Sequence, residues 1–543
     1  MYNLIINHYV HGGSSYVRLD LEGQNMKTNK FQQSRRFGCQ RLMFVVCNLI
    51  FVVFTSFSGP VNARDTPAFQ GVGQQVTEAS ESLSKYALPV DSAALKKWQD
   101  MRFGMFIHWG LYSKTAGYWK GRRAKSSGHI MLYERISVKE WGELAADFNP
   151  VKFDANEWVS AIRNAGCKYL VITAKHHDGL AMYDSPSSDY DLVDKSPFKR
   201  DPLKELADAC HEQGIALGIY YSLGRDWEDP DVPTNFPTKG GRSNTWDYPD
   251  EDAKVFHRYF LRKAKPQIEE LVTRYGKVDI LWFDTHGLIS RKESEELRDL
   301  IRSHQPECII NSRIGHGLGD FLVREQFIGD SERNPWESCV TMARHWTYDR
   351  DEAQQYKSAE LLVHQLLEIV SKGGNYLLNI GPRADGTITE EALVRMKAIG
   401  EWLEINGEGI YGSRPWRIDH EALAISPERR TGDPIRGQEG KDAVNDATSR
   451  IIPSEIRFTS KGGNIYAFIC RWDRDRVRIA SLAAGKERIK DVKILGFEGK
   501  VRWEQSVQGL DIELPVRKAT VEVPFSCVRI ELGGEKLSGE TKK

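Results

Sequence analysis

The chain has 543 residues, with 75 basic side chains balanced by 75 acidic ones. Zero net charge supplies no global field for nucleic acid or an anionic membrane, so neither is an expected partner. The length allows two or three domains with a sizeable core, and 14 Trp with 20 Tyr could furnish either core or flat platforms for sugar rings.

Residues 1–63 read as an N-terminal extension and signal. Arg35, Arg36 and Arg41 precede an apolar run over 42–54 broken only by Asn48, and Ser56, Ser58, Gly59 and Pro60 lead into Val61-Asn62-Ala63. A charged segment, an apolar segment and a small-x-Ala site make a secretory signal cleaved near Ala63. The apolar run is shorter than the roughly 20 residues of a membrane span. A secreted or periplasmic protein is expected, with no membrane contact beyond that segment. Residues before Met26 read as irregular, and Met26-Lys27 suits the start of such a signal better. Beyond Cys39 and Cys47, the cysteines at 167, 210, 308, 339, 470 and 527 show no C-x-x-C pair and no disulfide framework.

Residues 64–90 are polar and poorly periodic, a linker. From 91 to 416 strands and helices alternate. A strand over 102–110 (RFGMFIHWG) ends in His108-Trp109-Gly110, and a helix over 153–165 has Asp154 as its N-cap. A strand over 168–175 (KYLVITAK) ends in His176-His177, and a helix over 201–213 stops at Gly214. A strand over 215–222 ends in Tyr220-Tyr221-Ser222, and a long helix over 251–275 bends near Pro266. Val278 and residues 280–283 form a buried strand that runs into Asp284. A helix over 290–304, a strand over 307–313 ending in Arg313, helices over 361–372 and 389–406, and a strand over 375–381 follow. This rhythm implies right-handed crossovers and a parallel sheet: an α/β chain with a (β/α)8-like barrel, further units having room between 315 and 360. A doubly wound open sheet is the alternative, but no glycine-rich turn follows the first strand. Residues 417–543 change character, with a polar loop over 427–446 and short alternating runs at 455–458, 465–472, 477–481, 492–495, 500–505, 510–514, 519–523 and 528–532. These predict a C-terminal antiparallel β-sandwich.

On a parallel barrel the strand tips converge on one rim, bringing together His108, His176, His177, Tyr220, Trp282, Asp284 and Arg313. Singly, each has a plainer reading: Asp284 as a turn cap, His108 as a hydrogen-bonded core histidine, Arg313 as an ion-pair partner. Adjacent residues of a strand face opposite ways, which sets His176 against His177 as joint metal ligands. Two of the histidines with Asp284 could still supply a zinc site. Together the set suits a polar pocket with an aromatic wall for hydroxyl groups. Glycoside chemistry needs a second carboxylate. Asp320, Glu325, Asp330, Glu332 and Glu337 are the downstream candidates, and spacing does not choose between them.

The segments RFGMFIHWGLYS, AGCKYLVITAKHHDGLAMYDS, ALGIYYSLGRDW, VDILWFD and SKGGNYLLNIGPRADGTI resemble the α-L-fucosidases, glycoside hydrolase family 29, over residues 88–416 and in that family's order. The resemblance implies a retaining exo-hydrolase acting on fucosylated oligosaccharides or glycoconjugates, with no metal or other cofactor. It implies Asp284 as nucleophile and His108, His176, His177, Tyr220, Trp282 and Arg313 as substrate-binding residues. For the acid/base it implies Glu325, in Asp320-Phe321-Leu322-Val323-Arg324-Glu325, or second Glu337, in Trp336-Glu337-Ser338-Cys339. An acid working near neutral pH is expected to be buried so that its pKa rises. The chain departs from the family pattern in having Thr285 and His286 after Asp284, where a glycine is usual, and Trp346-Thr347-Tyr348 for W-G-Y. Both departures are expected near the pocket mouth.

Overall fold

Eight strands of the chain make one parallel sheet, most of them buried on both faces. The computed structural model describes residues 4–11, 14–21, 92–233, 243–351, 355–422, 455–470, 475–485, 487–515 and 523–533. The sheet strands are β1 (Phe103–Ile107), β2 (Tyr169–Lys175), β3 (Ala216–Ser222), β4 (Ile280–Asp284), β5 (Ile309–Ile310), β6 (Leu322–Glu325), β7 (Trp336–Thr341) and β8 (Asn375–Ile380). Their order is β6-β7-β8-β1-β2-β3-β4-β5, every pair parallel. The two ends of that order meet at a parallel bridge between Asn311 and Phe321, flanked by Asp320 N–H to Ile310 O at 2.7 Å and Ser312 N–H to Phe321 O at 2.8 Å. The sheet therefore curls into a barrel with a thin seam.

Side chains alternate between the two faces, and burial of both explains why most of these strands read as near-continuous apolar runs. Met105, Leu217, Ile219, Leu281 and Phe283 point outward into the core shared with the helices. Phe106, Tyr220, Trp282 and Cys339 point inward, above Trp98 from the helix Ala93–Met101. The outer helices are α1 (Ala155–Asn164), α2 (Pro202–Gln213), α3 (Lys265–Thr273), α4 (Arg291–His304), α5 (Ala359–Ser371) and α6 (Glu390–Asn406). Asp154 caps α1, Asp201 caps α2, and Ser290 with Glu293 forms a capping box on α4.

Three features differ from the sequence expectation. No helix separates β6 from β7, and only the short 3-10 turn Ser312–Ile314 lies between β5 and β6. The helix expected over 251–275 begins as a separate 3-10 turn, Glu251–Ala253, and resumes at Phe256. It then widens into a π turn, Phe260–Ala264, just before Pro266, whose missing N–H cannot close the ordinary α ladder. Residues before Met26, expected to be irregular, pair as an antiparallel hairpin, Leu4–His11 with Ser14–Leu21. This hairpin belongs to a separate unit, Met1–Gln70. The signal segment around residues 35–63 and the linker lie outside the described residues. Among the described residues no helix is long and apolar enough to cross a membrane.

After α6 come β9 (Arg414–Ala422), β10 (Glu455–Lys461), β11 (Asn464–Ile469), β12 (Arg476–Ile479), β13 (Ile489–Ile494), β14 (Trp503–Ser506), β15 (Gly509–Glu513) and β16 (Ser526–Leu532). They form a five-stranded sheet, β9-β10-β11-β16-β13, and a three-stranded one, β12-β15-β14, both antiparallel, around a common apolar core. On β11, Ile465, Ala467 and Ile469 enter that core, whereas Tyr466 and Phe468 join the barrel's outer core. Trp402 of α6 donates its ring N–H to Phe525 O at 2.9 Å across this junction. The loop at 427–446 and residues 519–522 of the expected strand lie outside the described residues.

Arg102, fully buried at the start of β1 with φ +59°, donates to Gly373 O at 2.7 Å, Gly374 O at 3.2 Å and Ser413 O. Burial first, then repulsion from Arg414, pulls its pKa down to about 9. Arg102→Met leaves these carbonyls without their donor at about 1–3 kcal/mol per buried group. The variant is expected to lose on the order of 3 kcal/mol or more, read as a lower urea midpoint at unchanged m.

Candidate active site

The C-terminal rim of the barrel encloses a cavity of ≈ 450 Å³. Each expected pocket residue arrives there at or just beyond a strand end: His108 after β1, His176 and His177 after β2, Tyr220 on β3, Trp282 and Asp284 on β4, Arg313 after β5 and Glu325 on β6. Both histidines of the pair face the cavity because β2 stops at Lys175 and the chain turns; their rings lie 4.1 Å apart. The opposite-face argument holds only while the strand continues.

Asp284 is the best-connected group. Its Oδ1 accepts from Arg313 at 2.7 Å and from the Thr285 N–H at 2.8 Å, and its Oδ2 accepts from the Tyr220 hydroxyl at 2.9 Å. Burial pushes its pKa up, but Arg313, Tyr220 and Arg225 together outweigh burial and hold the carboxyl below its ordinary value. The other tine of Arg313 donates to Glu325 at 2.6 Å. One guanidinium thus joins the two carboxylates.

Both carboxylates precede a residue in the left-handed region, Thr285 at φ +59° and Gln326 at φ +55°. A β-branched residue is strained there, which explains why glycine suits the position after Asp284. Here the Thr285 hydroxyl donates to Asp284 O at 2.7 Å and accepts from Gly224 N–H at 3.2 Å, and the turn aims the Thr285 N–H at the Asp284 carboxylate. Gly224 is required: a Cβ there would lie 1.9 Å from Thr285 O.

Of the five candidate second carboxylates Asp330 is exposed, and the other four separate by placement. Asp320 is buried against Arg302 at 2.5 Å and the Ile310 N–H at 2.8 Å, and Glu332 pairs with Arg324 away from the cavity. Glu337 pairs in register with Val323 and Asn375, whereas Glu325 is level with Cys339, which lines the cavity. Glu337 therefore points into the barrel one inward step, roughly 6–7 Å, below the rim. There it accepts from Tyr169 at 2.6 Å and from the Trp282 ring N–H at 2.9 Å, fully buried and outside the cavity lining. Glu325 reaches the cavity, but the expected burial is not met: its side chain is 39% exposed, because β6 is only half-buried along its length.

The histidines are held neutral. Burial lowers His108 to about 4, and burial with neighbouring cations lowers His176 and His177 well below the ordinary value. His286 is lowered too, by burial and then Arg313. The departures Thr285, His286 and Thr347 line the cavity, as does Trp346, which lies 5.1 Å from the His108 ring. Sequence reading missed His129, Arg225 and Arg344. Arg225 sits inside the quoted segment ending in Asp226-Trp227, but His129 lies in a non-periodic loop with no signal. Among the described residues, the set whose ligand atoms fall within 4.8 Å of one another is His364, Glu455 and Cys470, away from the pocket, and Arg457 engages Glu455 at 2.6 Å. All six described cysteines are free and buried.

The α-L-fucosidase family model matches residues 72–408, and the α-L-fucosidase C-terminal domain model matches 449–529. The chain belongs to the α-L-fucosidases, glycoside hydrolase family 29. The tissue α-L-fucosidase of Homo sapiens is 29% identical over 478 residues, covering 83% of this chain and 90% of its own length. The α-L-fucosidase of Dictyostelium discoideum is 30% identical over 470 residues, covering 80% and 90%. Among solved structures, the α-L-fucosidase of Vibrio sp. strain EJY3 superposes with a TM-score of 0.70 at 29% identity, covering 84% of this chain and 75% of that one. The α-L-fucosidase of Lactobacillus casei in complex with α-L-fucose product superposes at 0.56 with 34% identity, covering 58% of this chain and 100% of that one. The Lactobacillus match is confined to a smaller share of this α-L-fucosidase than the Vibrio one.

Glu337 carries a stability signature. Burial pushes its carboxyl up to about 7, with Tyr169 and Trp282 donating in the opposite sense. Between about pH 4.5 and 7 the folded protein keeps a proton that the unfolded chain has released, so this group favours folding at low pH and loses that contribution as pH rises. The stability difference between wild type and Glu337→Gln is expected to shift by about 3 kcal/mol across that window, in the variant's favour as pH rises, measured by denaturant titration at several pH values.

Proposed function

We propose that this α-L-fucosidase is a retaining, exo-acting hydrolase that removes terminal α-L-fucose from fucosylated glycans through a covalent fucosyl-enzyme on Asp284, with Glu325 as acid/base. The observation that carries the reading is the bridge of Arg313 between Asp284 and Glu325, 2.7 and 2.6 Å on its two tines. One guanidinium spans the order of 5 Å, the carboxyl separation of retaining glycosidases, and inverting enzymes need a wider gap for water. Asp284, held ionised, attacks the anomeric carbon. Glu325 gives its proton to the departing glycosidic oxygen and then takes one from the water that breaks the ester, so configuration is retained. Its exposed position at the mouth supports this role, since the leaving group departs and water enters there. Glu337, below Trp282 and outside the cavity lining, serves as an acceptor for Trp282 and Tyr169.

His108, His176 and His177 hold ring hydroxyls while Trp282 forms the wall. The cavity is closed below by Phe106 and Trp282, which supports exo action on a chain end. A variant of the Lactobacillus casei enzyme is described with Fuca(1,6)GlcNAc, and that supports a sugar as leaving group here as well. The signal pattern ending near Ala63 supports export to the secreted or periplasmic space.

Asp284→Gly is expected to abolish hydrolysis, and azide entering the vacated face is expected to restore turnover with β-fucosyl azide as product. Full activity in the unrescued variant overturns the nucleophile assignment. Glu325→Ala is expected to cost about 10²–10⁴-fold on a natural glycan and far less on an activated aryl fucoside, whose leaving group needs no proton. Glu337→Ala should show no such split, and the reverse pattern assigns the acid to Glu337.

A further inference from the structure

We propose that Asn379 and Ser222 are positioning residues that fix the tautomers of His108 and His177, so that both rings present a bare Nε2 as hydrogen-bond acceptor to the sugar. The inference rests on the fucosidase reading only for the identity of the bound hydroxyls. Asn379, on β8, settles its own orientation: its amide nitrogen is 2.6 Å from the Trp346 carbonyl, which can only accept. The remaining amide atom is the oxygen, and it lies 2.6 Å from His108 Nδ1. That nitrogen must carry the hydrogen, which leaves Nε2 without one.

Ser222 makes the same argument with a hydroxyl. Its single proton goes to the Arg225 carbonyl at 2.8 Å. His177 Nδ1, 2.7 Å from the same oxygen, must therefore donate. His177 Nε2 is left bare and faces Asp284 Oδ2 at 3.6 Å, so two acceptors confront each other. A substrate hydroxyl entering between them supplies the missing proton. Asn379 and Ser222 are both buried.

The neutral state is kept by the surroundings. His108 is faced by Asp284 and Glu325 as well as by the rings of His176 and Tyr220, each within 6 Å of its own, and burial outweighs the two carboxylates. His177 is faced by His176, His129, Arg225 and Lys175, with Asp284 opposite. The consequence is a requirement on the substrate. The hydroxyls that meet these rings must be donors.

Selective ¹⁵N-histidine labelling of the full chain tests this directly. His108→Gln and His177→Gln each remove one signal and so assign it. In the wild type at neutral pH both rings are expected to show a protonated Nδ1 and an unprotonated Nε2. An Nε2–H tautomer or an imidazolium at either ring overturns the proposal, and the result is readable whether or not the protein hydrolyses fucosides. Asn379→Asp places a carboxylate on His108 Nδ1–H and is expected to move the acid limb of kcat/KM upward by about 1–3 pH units, since a protonated ring cannot accept. Ser222→Ala is expected to raise KM for an aryl fucoside several-fold, with His177 showing mixed tautomers. Unmoved pH limb, KM and nitrogen shifts in the two variants count against a positioning role.

Discussion

The site depends on Arg313. Two carboxylates on one rim repel each other, and each also resists leaving water. A guanidinium placed between them offsets both costs, because its two tines satisfy one carboxylate each in a fixed geometry. Burial alone would lower the pKa of Arg313, but Asp284 and Glu325 outweigh it and keep the guanidinium charged. The cation also lies 5.1 Å over the Trp282 ring, whose N–H reaches down to Glu337. Arg313 thus ties Asp284 and Glu325 at the rim to the polar floor of the barrel. Replacing it would leave two facing carboxylates without the cation that bonds to both, a larger loss than any one hydrogen bond.

How far this was legible in the sequence depends on which residues carried a pattern. Strands β1 to β4 and β8 announced themselves because both faces are buried, and their tips named His108, His176, Tyr220, Trp282 and Asp284. Strands β6 and β7 carried no comparable run: Leu322-Val323-Arg324-Glu325 is half-buried and charged, and no helix follows it to mark a unit. The choice between Glu325 and Glu337 was hidden for the same reason. Both lie on strands of one sheet, and what separates them is register, Glu325 pairing with Cys339 while Glu337 pairs with Val323 two residues lower. Register across a parallel pair is set by packing of distant elements, and one sequence does not display it. Asn379 and Ser222 were invisible as functional groups, since each acts only through a histidine brought to it by the fold.

Thr285 shows a related limit. A glycine after Asp284 would fit the left-handed turn without strain, and a threonine there reads from sequence as a local misfit. In the folded chain its hydroxyl is bonded on both sides, to Asp284 O and Gly224 N–H, so the strain is held by two contacts that exist only because β3 and β4 lie side by side. The same turn directs a backbone N–H to the Asp284 carboxylate, so the strained conformation contributes to orienting the reactive group.

The pocket divides its labour by charge. Strands β4 and β6 supply the carboxyl groups of Asp284 and Glu325, with Arg313 bonded to both, while β1 and β2 lead into imidazoles that burial keeps neutral. Were those rings charged, His176 and His177 at 4.1 Å would repel each other, and added cations would stabilise the Asp284 carboxylate further and blunt the proposed nucleophile. Were they carboxylates instead, they could accept from hydroxyls but would repel Asp284 and raise its pKa. A neutral imidazole with its Nδ1–H fixed elsewhere accepts a hydroxyl proton and does neither. On the proposed reading, neutral rings beside charged groups let one rim bind a polyol without disturbing the ionisation of Asp284.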